Sequence, residues 1–468
     1  MIEHSRLQQL NDQPEREGEY VLCWMQQSQR EAFNPALEMA AACANRLRLP
    51  VLVGFGLTDG YPEANARHYA FMLEGLRDVE EALSRRSISF VIQRGSPDEV
   101  AIELACRAAL VVCDRGYLRH QKEWRRNVAE NAGCRVLQVE GDVVVPVGLT
   151  SDKMETAART LRPKIQRLRE DFLLPLRRTP VRVKAGSPPA PQSIDLSDIP
   201  ALLGKLNINH GVRPVRRFKG GTREAQRRLA SFVVGPLANY AEGRLEPAQE
   251  QVSFLSAYLH FGQISPVEIA LAVSDAKAGN VDRAAYLEEL VVQRELAMNF
   301  VEHQPRYDSY SCLPEWARNT LEAHRGDARQ HIYSEAQLAA GETHDRCWNA
   351  AMREMCVTGY MHNHMRMYWG KKILEWSSSP ENAFRTALSL NNRYFLCGRD
   401  PNSYANVAWC FGLHDRPWPE RAIFGKVRSM TAAGLKRKIN IDAYLKRVEE
   451  LAEAEAAEEG SSPKHSSR

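Results

Sequence analysis

Tryptophans concentrated in the last third of the chain are the residues that most clearly invite a chemical interpretation. Five of the eight fall in one stretch among polar and basic residues: Trp348, Trp369, Trp376, Trp409 and Trp418. Trp369 and Trp376 are seven residues apart, so on a helix they share one face, about 10.5 Å apart along the axis. Indoles at this spacing can pack as a core or pass electrons to one another. The spacing alone leaves both interpretations open.

Two segments upstream of the tryptophans carry side chains that could hold a charged ligand. Ser253 and Ser256 lie at the start of the predicted helix 252–266, where free N–H groups and hydroxyls can bind phosphate. N-capping is the commoner role of such serines. Glu289 lies in the apolar helical segment 286–300, where a carboxylate needs a partner or a ligand. It is therefore a candidate pocket residue.

The segment GYMHNHMRMYW (359–369) combines polar and polarisable side chains. Asn363 and Arg366 can hydrogen-bond a polar heterocycle, and Met367 can pack against a flat ligand. The two histidines of the segment are two residues apart, which is the wrong spacing for one helix face, and no HExxH motif is present. We therefore predict a binding segment and no metal site.

The first third of the chain alternates short apolar segments with amphipathic helical ones. Strands are predicted at 20–25, 50–57, 88–95, 108–116 and 134–147, and helices at 35–47, 70–86 and 97–108. Alternation at this length predicts a Rossmann-like, parallel, doubly wound sheet with a ligand crevice at its strand ends. Gly54 and Gly56 form a GxG, but position 59 is Asp, so we predict no dinucleotide fingerprint.

Helical periodicity dominates after about residue 216 and predicts an all-α second domain. Between the two patterns, 175–215 is rich in proline and poor in apolar periodicity, which indicates a connection. The acidic C-terminal segment predicts a helix running into a polar tail. We assign an α/β domain, an interdomain linker, a helical domain and a disordered tail to 18–150, 151–215, 216–450 and 451–468.

Bulk properties narrow the class of protein. A chain of 468 residues predicts two or three domains. The ten cysteines form no CxxC pair, the N-terminus lacks an apolar signal core, and no apolar run is long enough to span a membrane. We expect a soluble, cytoplasmic monomer. The net charge of +4 is mild, but basic runs at 213–228 and 421–438 are either solvated helix faces or phosphate-contacting surfaces.

Several segments, taken in order, resemble the photolyase and cryptochrome flavoproteins, and most of all the class II cyclobutane pyrimidine dimer photolyases. They are LSAYLHFGQISP (255–266), YLEEL (286–290), GYMHNHMRMYW (359–369), GRDPNSYANVAW (398–409), GLHDRPW (412–418) and FGKVR (424–428). The resemblance covers nearly the whole chain. It implies an α/β N-terminal domain, a linker and an all-helical domain that binds FAD.

The resemblance also implies roles for individual residues. Asn391 would face flavin N5, and Glu289 would hydrogen-bond the damaged base. Met367 and Trp409 would form the apolar wall of the substrate pocket. Trp369, Trp348 and Trp376 would be the proximal, medial and distal members of an electron relay. The residues expected to bind FAD are Tyr240, Val252, Ser253, Phe254, Leu255, Ser256, Asn363, Arg366 and Asn391.

The activity implied by the resemblance is light-driven repair of pyrimidine dimers in UV-damaged DNA. Excited reduced FAD would donate one electron to a dimer turned out of the duplex, and the electron would return after the ring splits. The basic runs would then contact phosphates without reading sequence. The resemblance further allows an antenna pigment in the N-terminal domain, either a deazaflavin or a folate.

Two positions depart from the pattern of the family. Cys397 stands where the family usually has an aspartate that pairs with the arginine matching Arg366. Leu245 stands where the family tends to have an asparagine. A neutral thiol cannot form the salt bridge, so we expect either an unpaired arginine or an altered flavin potential. We expect these two changes to alter the reduction potential of the flavin before they abolish repair.

Two other functions compete with repair. A cryptochrome-like light receptor would keep the flavin and the relay but signal through its tail, and the short tail after 450 favours repair over that function. A helical nucleotide-binding protein would use its tryptophans only for packing. Bound flavin discriminates against this third interpretation.

Overall fold

The computed structural model describes residues 2–184 and 193–461 of the chain. Its one sheet has six strands in the order β1-β6-β5-β2-β3-β4, all parallel except β1. The strands are β1 Leu7–Gln9, β2 Tyr20–Trp24, β3 Val51–Leu57, β4 Ser89–Arg94, β5 Ala108–Asp114 and β6 Arg135–Val139. The predicted parallel α/β domain is confirmed.

Four helices connect the parallel strands: α1 Pro35–Leu47, α2 Ala66–Arg85, α3 Pro97–Ala105 and α4 Arg119–Asn131. Residues at and before the first turn determine where these helices begin. At α1, for example, the Asn34 side chain accepts from the backbone N–H groups of Ala36 and Leu37, and Pro35 occupies the first helical position. All residues of β2, β3 and β5 are buried, as expected for strands covered on both faces.

Two features of the sheet differ from the prediction. The N-terminal strand β1 pairs antiparallel with β6 at the edge of the sheet. Its sequence LQQ is short and polar, so it carries no strand signal. The segment predicted as a strand over 134–147 is a strand only to Val139, since the chain turns away through buried valines before α5.

Helices joined by loops make up the rest of the described chain. The helices are α5 Val147–Thr150, α6 Ala158–Phe172, α7 Ile199–Lys205, α8 Thr222–Val234, α9 Tyr240–Gly243, α10 Ser256–His260, α11 Pro266–Ser274, α12 Asn280–Leu287, α13 Arg294–His303, α14 Glu315–Ala323, α15 Glu335–Ala340, α16 Arg346–Thr358, α17 Asn363–Trp376, α18 Pro380–Tyr394, α19 Pro401–Cys410, α20 Ala432–Lys436 and α21 Ile441–Ser461. A π-helical turn, Glu288–Gln293, joins α12 to α13.

The chain folds into two compact units. The first comprises Met1–Val212, Gly220–Ala238 and Ser253–Pro305, and the second comprises Arg213–Lys219, Asn239–Val252 and Arg306–Arg468. The first unit therefore holds the sheet together with α10–α13. This division does not follow the boundary predicted at 216. One reason is that α8 is tied to α2, where Arg223 pairs with Asp78.

The segment 151–215, expected to be a linker, is not uniformly extended. It contains α6 and α7, which bury Leu161 and Ile165 in one case and Ile199 and Leu203 in the other. These apolar residues are too widely spaced among prolines and charges to give a clear helical signal in the sequence. Residues 185–192 of the segment lie outside the described chain.

The C-terminal prediction needs a correction. Helix α21 continues to Ser461, so residues 451–461 of the expected disordered tail are helical. The run of alanine and glutamate that made this segment look polar and unpacked also has high helix propensity. Residues 462–468 lie outside the described chain. No helix in the described ranges is long and apolar enough to cross a membrane.

Candidate active site

Three tryptophans form one buried row in the second unit. Trp348 lies on α16, and Trp369 and Trp376 lie on α17. The rings of Trp348 and Trp369 are stacked, with centroids 6.5 Å apart and planes 8° apart. The ring centroid of Trp376 lies 5.8 Å from that of Trp348, with the ring planes at 65°. The two tryptophans of α17 are thus bridged by a third ring from α16.

Helix caps and one backbone contact hold this row in place. The Asp345 carboxylate caps α16 by accepting from the backbone N–H groups of Cys347 and Trp348. The Trp348 indole Nε1 donates to the backbone carbonyl of Trp369, at 3.1 Å. Gly359, at φ 70°, ends α16 in the left-handed region that glycine adopts at low cost, and α17 then packs against α16.

A narrow cavity opens beside Trp369. The residues that line it are Arg366, Trp369, Gly370, Ala387, Asn391, Asn406, Val407 and Cys410. Two buried polar atoms at this cavity, Nε1 of Trp369 and Nε of Arg366, have no hydrogen-bond partner among the described residues. Asn391 is buried, and its amide donates to Oδ1 of Asn392 at 3.1 Å. Buried polar atoms are nearly always satisfied, so these two donors are open to a polar ligand or to water.

Arg366 is held by apolar and thiol contacts. Its guanidinium lies over the ring of Phe395, with 3.8 Å between the guanidinium carbon and the ring centroid. Its Nη2 is 3.7 Å from the sulfur of Cys397, toward which it donates. No carboxylate pairs with Arg366 within the described part of the chain. The unpaired arginine expected opposite Cys397 is therefore observed, and the altered flavin potential stays a prediction.

The remaining predicted residues of α17 and α19 lie outside this cavity lining. Asn363 is exposed and Met367 is half-buried on α17. Trp409, half-buried on α19, has its ring centroid 5.8 Å from Nζ of Lys371.

The Lys371 ammonium is buried and donates to the carbonyl of Cys410, and burial lowers its pKa to about 8. Lys371 was missed from the sequence, although a lysine among apolar residues of a helix was a usable signal.

The predicted phosphate-binding segment is split between the two units. Tyr240 and Val252 belong to the second unit, and Tyr240 is buried beneath the guanidinium of Arg244, 5.7 Å from its ring. Ser253, Phe254, Leu255 and Ser256 belong to the first unit. The segment that looked continuous in the sequence therefore consists of two parts, each anchored in its own unit.

Within the first unit, the serines do not act as N-caps. The N-cap of α10 is Leu255, without a side-chain hydrogen bond, and the Ser253 hydroxyl instead accepts from the Tyr286 hydroxyl at 3.0 Å. The N-capping interpretation is therefore wrong for this helix. Phe254 has φ 55°, a strained value for a residue with a side chain, and such strain clusters at functional sites.

Glu289 lies in the π-helical turn Glu288–Gln293 of the first unit and is half-buried. Single π-turns inside helices occur mostly at functional sites, because the extra residue re-aims neighbouring side chains. Its neighbours take structural roles: Glu288 pairs with Arg162, and Glu295 accepts from the backbone N–H groups of Val144 and Val145. Burial raises the pKa of Glu295 to about 8.

Trp418 remains apart from the tryptophan row. Its indole donates to Oδ1 of Asp415 at 3.2 Å, and the guanidinium carbons of Arg416 and Arg428 lie 5.5 and 5.0 Å from its ring centroid.

Of the two histidines discounted as metal ligands, His362 accepts from the backbone N–H of His364 at the start of α17. Burial lowers the pKa of His362 to about 4.

One side chain satisfies the backbone N–H groups at the carboxyl ends of β2 and β5. Asp114 accepts from the backbone N–H groups of Gln26, Gln27 and Ser28, at 3.0, 2.7 and 2.7 Å, and it is paired with Arg125. In nucleotide-binding sheets these N–H groups would face a phosphate. Here the buried Asp114 carboxylate accepts these N–H groups instead.

Comparisons with known proteins agree with this geometry. The family described as DNA photolyase matches residues 21–184. The chain is 46% identical to the deoxyribodipyrimidine photo-lyase of Methanothermobacter thermautotrophicus, over 96% of this chain and 99% of that protein. It is 38% identical to the deoxyribodipyrimidine photo-lyase of Arabidopsis thaliana, over 92% of this chain and 89% of that protein.

A solved structure shares the fold. The class III photolyase of Agrobacterium tumefaciens superposes with a TM-score of 0.72 at 20% identity, covering 96% of this chain and 91% of that chain. The long matches at 46% and 38% identity carry the assignment, and the structural match carries the fold alone. The chain belongs to the DNA photolyase family, a family of FAD flavoproteins, as a class II deoxyribodipyrimidine photo-lyase.

Proposed function

We propose that this photolyase uses bound reduced FAD and light to split cyclobutane pyrimidine dimers, with a tryptophan relay that keeps the flavin reduced. The observation that carries the proposal is the buried row of Trp376, Trp348 and Trp369, which ends at a cavity lined by Arg366 and Asn391.

The residues at the cavity fit a flavin ring system. Nε1 of Trp369 and Nε of Arg366 are donors without partners among the described residues, and the flavin edge carries acceptors. Asn391 can either donate or accept, which suits flavin N5. When bound, reduced FAD supplies the electron that light transfers to the pyrimidine dimer.

The phosphate groups of FAD are assigned to residues of the 240–256 segment, with Asn363 as a further polar contact. The residues are Tyr240, Val252, Ser253, Phe254, Leu255 and Ser256. Support comes from the strained φ of Phe254 and from backbone near α10 that no serine side chain caps. The start of this helix can therefore offer N–H and hydroxyl groups to an anion.

The relay passes electrons from Trp376 to Trp348 and then to Trp369. All three indoles are buried, at 3%, 0% and 2% exposure, so water does not separate the rings. The nearly parallel rings of Trp348 and Trp369 lie with their centroids 6.5 Å apart, a short distance for an electron to pass between them. Trp369 is the proximal member because it alone of the three lines the cavity.

Substrate contacts are assigned to Glu289, Met367 and Trp409. The half-buried side chains of Met367 and Trp409 offer an apolar surface to a base turned out of the duplex, and Glu289 offers a carboxyl group for its polar edge. DNA phosphates are assigned to the basic run 421–438, which has six Lys or Arg and no acid. In the run 213–228, by contrast, Arg223, Arg227 and Arg228 pair with protein carboxylates.

Repair of ultraviolet-irradiated oligothymidine tests the proposal. We expect recovery of thymine absorbance under blue light with the flavin reduced, and none in the dark. Glu289→Gln keeps the size of the side chain and removes its acid, and we expect repair to slow by on the order of tenfold. If thymine absorbance does not recover under light while reduced flavin is present, the repair function is refuted.

A further inference from the structure

Arg366 is a cation for which the described residues provide no anion. Its Nη2 faces the Cys397 thiol at 3.7 Å, its Nε has no partner, and its guanidinium plane lies on Phe395. The carboxylate of Asp400, three residues after Cys397, accepts at the start of α19 from the backbone N–H and the side-chain amide of Asn402. The charge on Arg366 is therefore not neutralised locally.

The surroundings fix Cys397 in this position. The Ser403 hydroxyl donates to the carbonyl of Cys397 at 3.0 Å, and the Gly398 N–H donates to the carbonyl of Phe395 at 2.9 Å. A Cβ at Gly398 would lie 2.9 Å or less from the backbone of Asn391 and Asn392, so the turn must pass close to α18. Position 397 consequently presents its side chain to Arg366 in a set geometry.

The same guanidinium borders the cavity that holds Trp369 and Asn391. Phe395, on which the guanidinium rests, is fully buried and packs edge-on against Trp369, with ring centroids 6.5 Å apart. A cation beside a partly desolvated cavity acts on a ligand there far more strongly than a cation in water. The sign of its effect depends on whether the bound group gains negative charge.

We propose that Cys397 sets the reduction potential of the bound flavin by leaving Arg366 without a carboxylate partner, so that the arginine charge stabilises the reduced, anionic flavin. This inference rests on the proposed binding of FAD at the Trp369 cavity. Arg366 is a cofactor contact, and Cys397 is a positioning residue that acts through it. An acid at position 397 would neutralise the cation and lower the midpoint potential.

The test compares C397D with C397N, in which the introduced side chain has the same size and shape but no charge. Spectroelectrochemical titration of the purified flavoproteins gives the midpoint potential of each. We expect C397D to favour the oxidised flavin by about tenfold relative to wild type, which is a fall of about 30 mV for a two-electron couple. C397N is expected to stay close to wild type.

Thermal unfolding of the same variants without flavin checks the pairing separately. C397D is expected to melt at a higher temperature than C397N, because the introduced carboxylate would form a salt bridge with an arginine that lacks one. An unchanged midpoint potential in C397D, with this rise in melting temperature, overturns the inference while leaving FAD binding intact. Equal melting temperatures for C397D and C397N overturn it as well, since they mean that Arg366 is not available to pair. A chain that binds no flavin would refute the proposed function and the inference together.

Discussion

The end of the parallel sheet and the cavity beside Trp369 both present buried polar groups, but they treat those groups in opposite ways. At the sheet, Asp114 accepts three backbone N–H groups and pairs with Arg125. At the cavity, Nε1 of Trp369 and Nε of Arg366 have no partner among the described residues. The buried donors of the first place have acceptors within the chain, and those of the second place do not among the described residues.

This contrast indicates where a ligand is to be sought in this protein. A site whose donors all bond to acceptors of the chain contributes stability, and it has no free donor for a phosphate. A site with unsatisfied donors costs stability until a ligand supplies the acceptors. The crevice of a doubly wound sheet is the usual binding site in such folds, yet at Asp114 this chain uses it for structure.

The largest effect is expected from Trp369→Phe. Phenylalanine is much harder to oxidise than tryptophan, so photoreduction of the flavin should be lost while chemically reduced enzyme still repairs dimers. Flavin absorbance during blue illumination measures the first and thymine absorbance the second. The matched control is Trp24→Phe, because Trp24 is an equally buried indole whose Nε1 donates to Gln26. Normal photoreduction in the Trp369 variant would show that the relay is wrongly assigned.

Removing the carboxylate from the sheet should reduce stability without touching the flavin. Asp114→Ala leaves Arg125 as a buried unpaired charge and three N–H groups without an acceptor, which costs about 3–5 kcal/mol of unfolding free energy. Chemical denaturation measures the loss. Glu19→Gln, at the exposed pair with Arg107, should cost much less, because water screens that pair. A change in flavin potential with no loss of stability would contradict the structural role of Asp114.

Lys371 lies between the satisfied groups at Asp114 and the unsatisfied donors at the Trp369 cavity. Among the described residues, its buried ammonium has one acceptor, the Cys410 carbonyl. Its pKa is lowered to about 8, so the folded protein binds this proton less tightly than the unfolded chain. Stability of the wild type should therefore rise as pH increases through 8. We compare the free energy of unfolding of Lys371→Met with that of the wild type at two pH values. The variant's advantage should be about 2 kcal/mol larger at about pH 7 than at about pH 9.5. The same difference at both pH values would contradict the assignment of a desolvated ammonium.

The fold was largely predictable from the sequence because strand and helix periods are local signals. Helix α1 was predicted with its observed bounds, 35–47, since Asn34, Pro35 and the alanine-rich face all mark it. Strand β1 was not predictable, because pairing with β6 at an edge requires no apolar alternation. Helix α21 was cut short in the prediction because an acidic composition was given more weight than helix propensity.

The site was predictable only in its parts. Seven-residue spacing placed Trp369 and Trp376 on one helix, but spacing cannot show that Trp348 would enter between them from α16. The thiol at position 397 was visible in the sequence as a departure from the family. Its consequence, an arginine resting on Phe395 with an unsatisfied Nε, depends on the turn that only the structure displays.

The hydrogen bond from the Trp348 indole to the Trp369 carbonyl has a consequence for how the row behaves when the protein warms. Electron tunnelling weakens exponentially with separation, so rings that swing independently would conduct through rare close approaches. Here one ring is anchored to the main chain that carries the next, and the 6.5 Å separation moves with the helix as a unit. In the proposed relay, the electronic coupling between these two indoles should therefore change little as the protein warms.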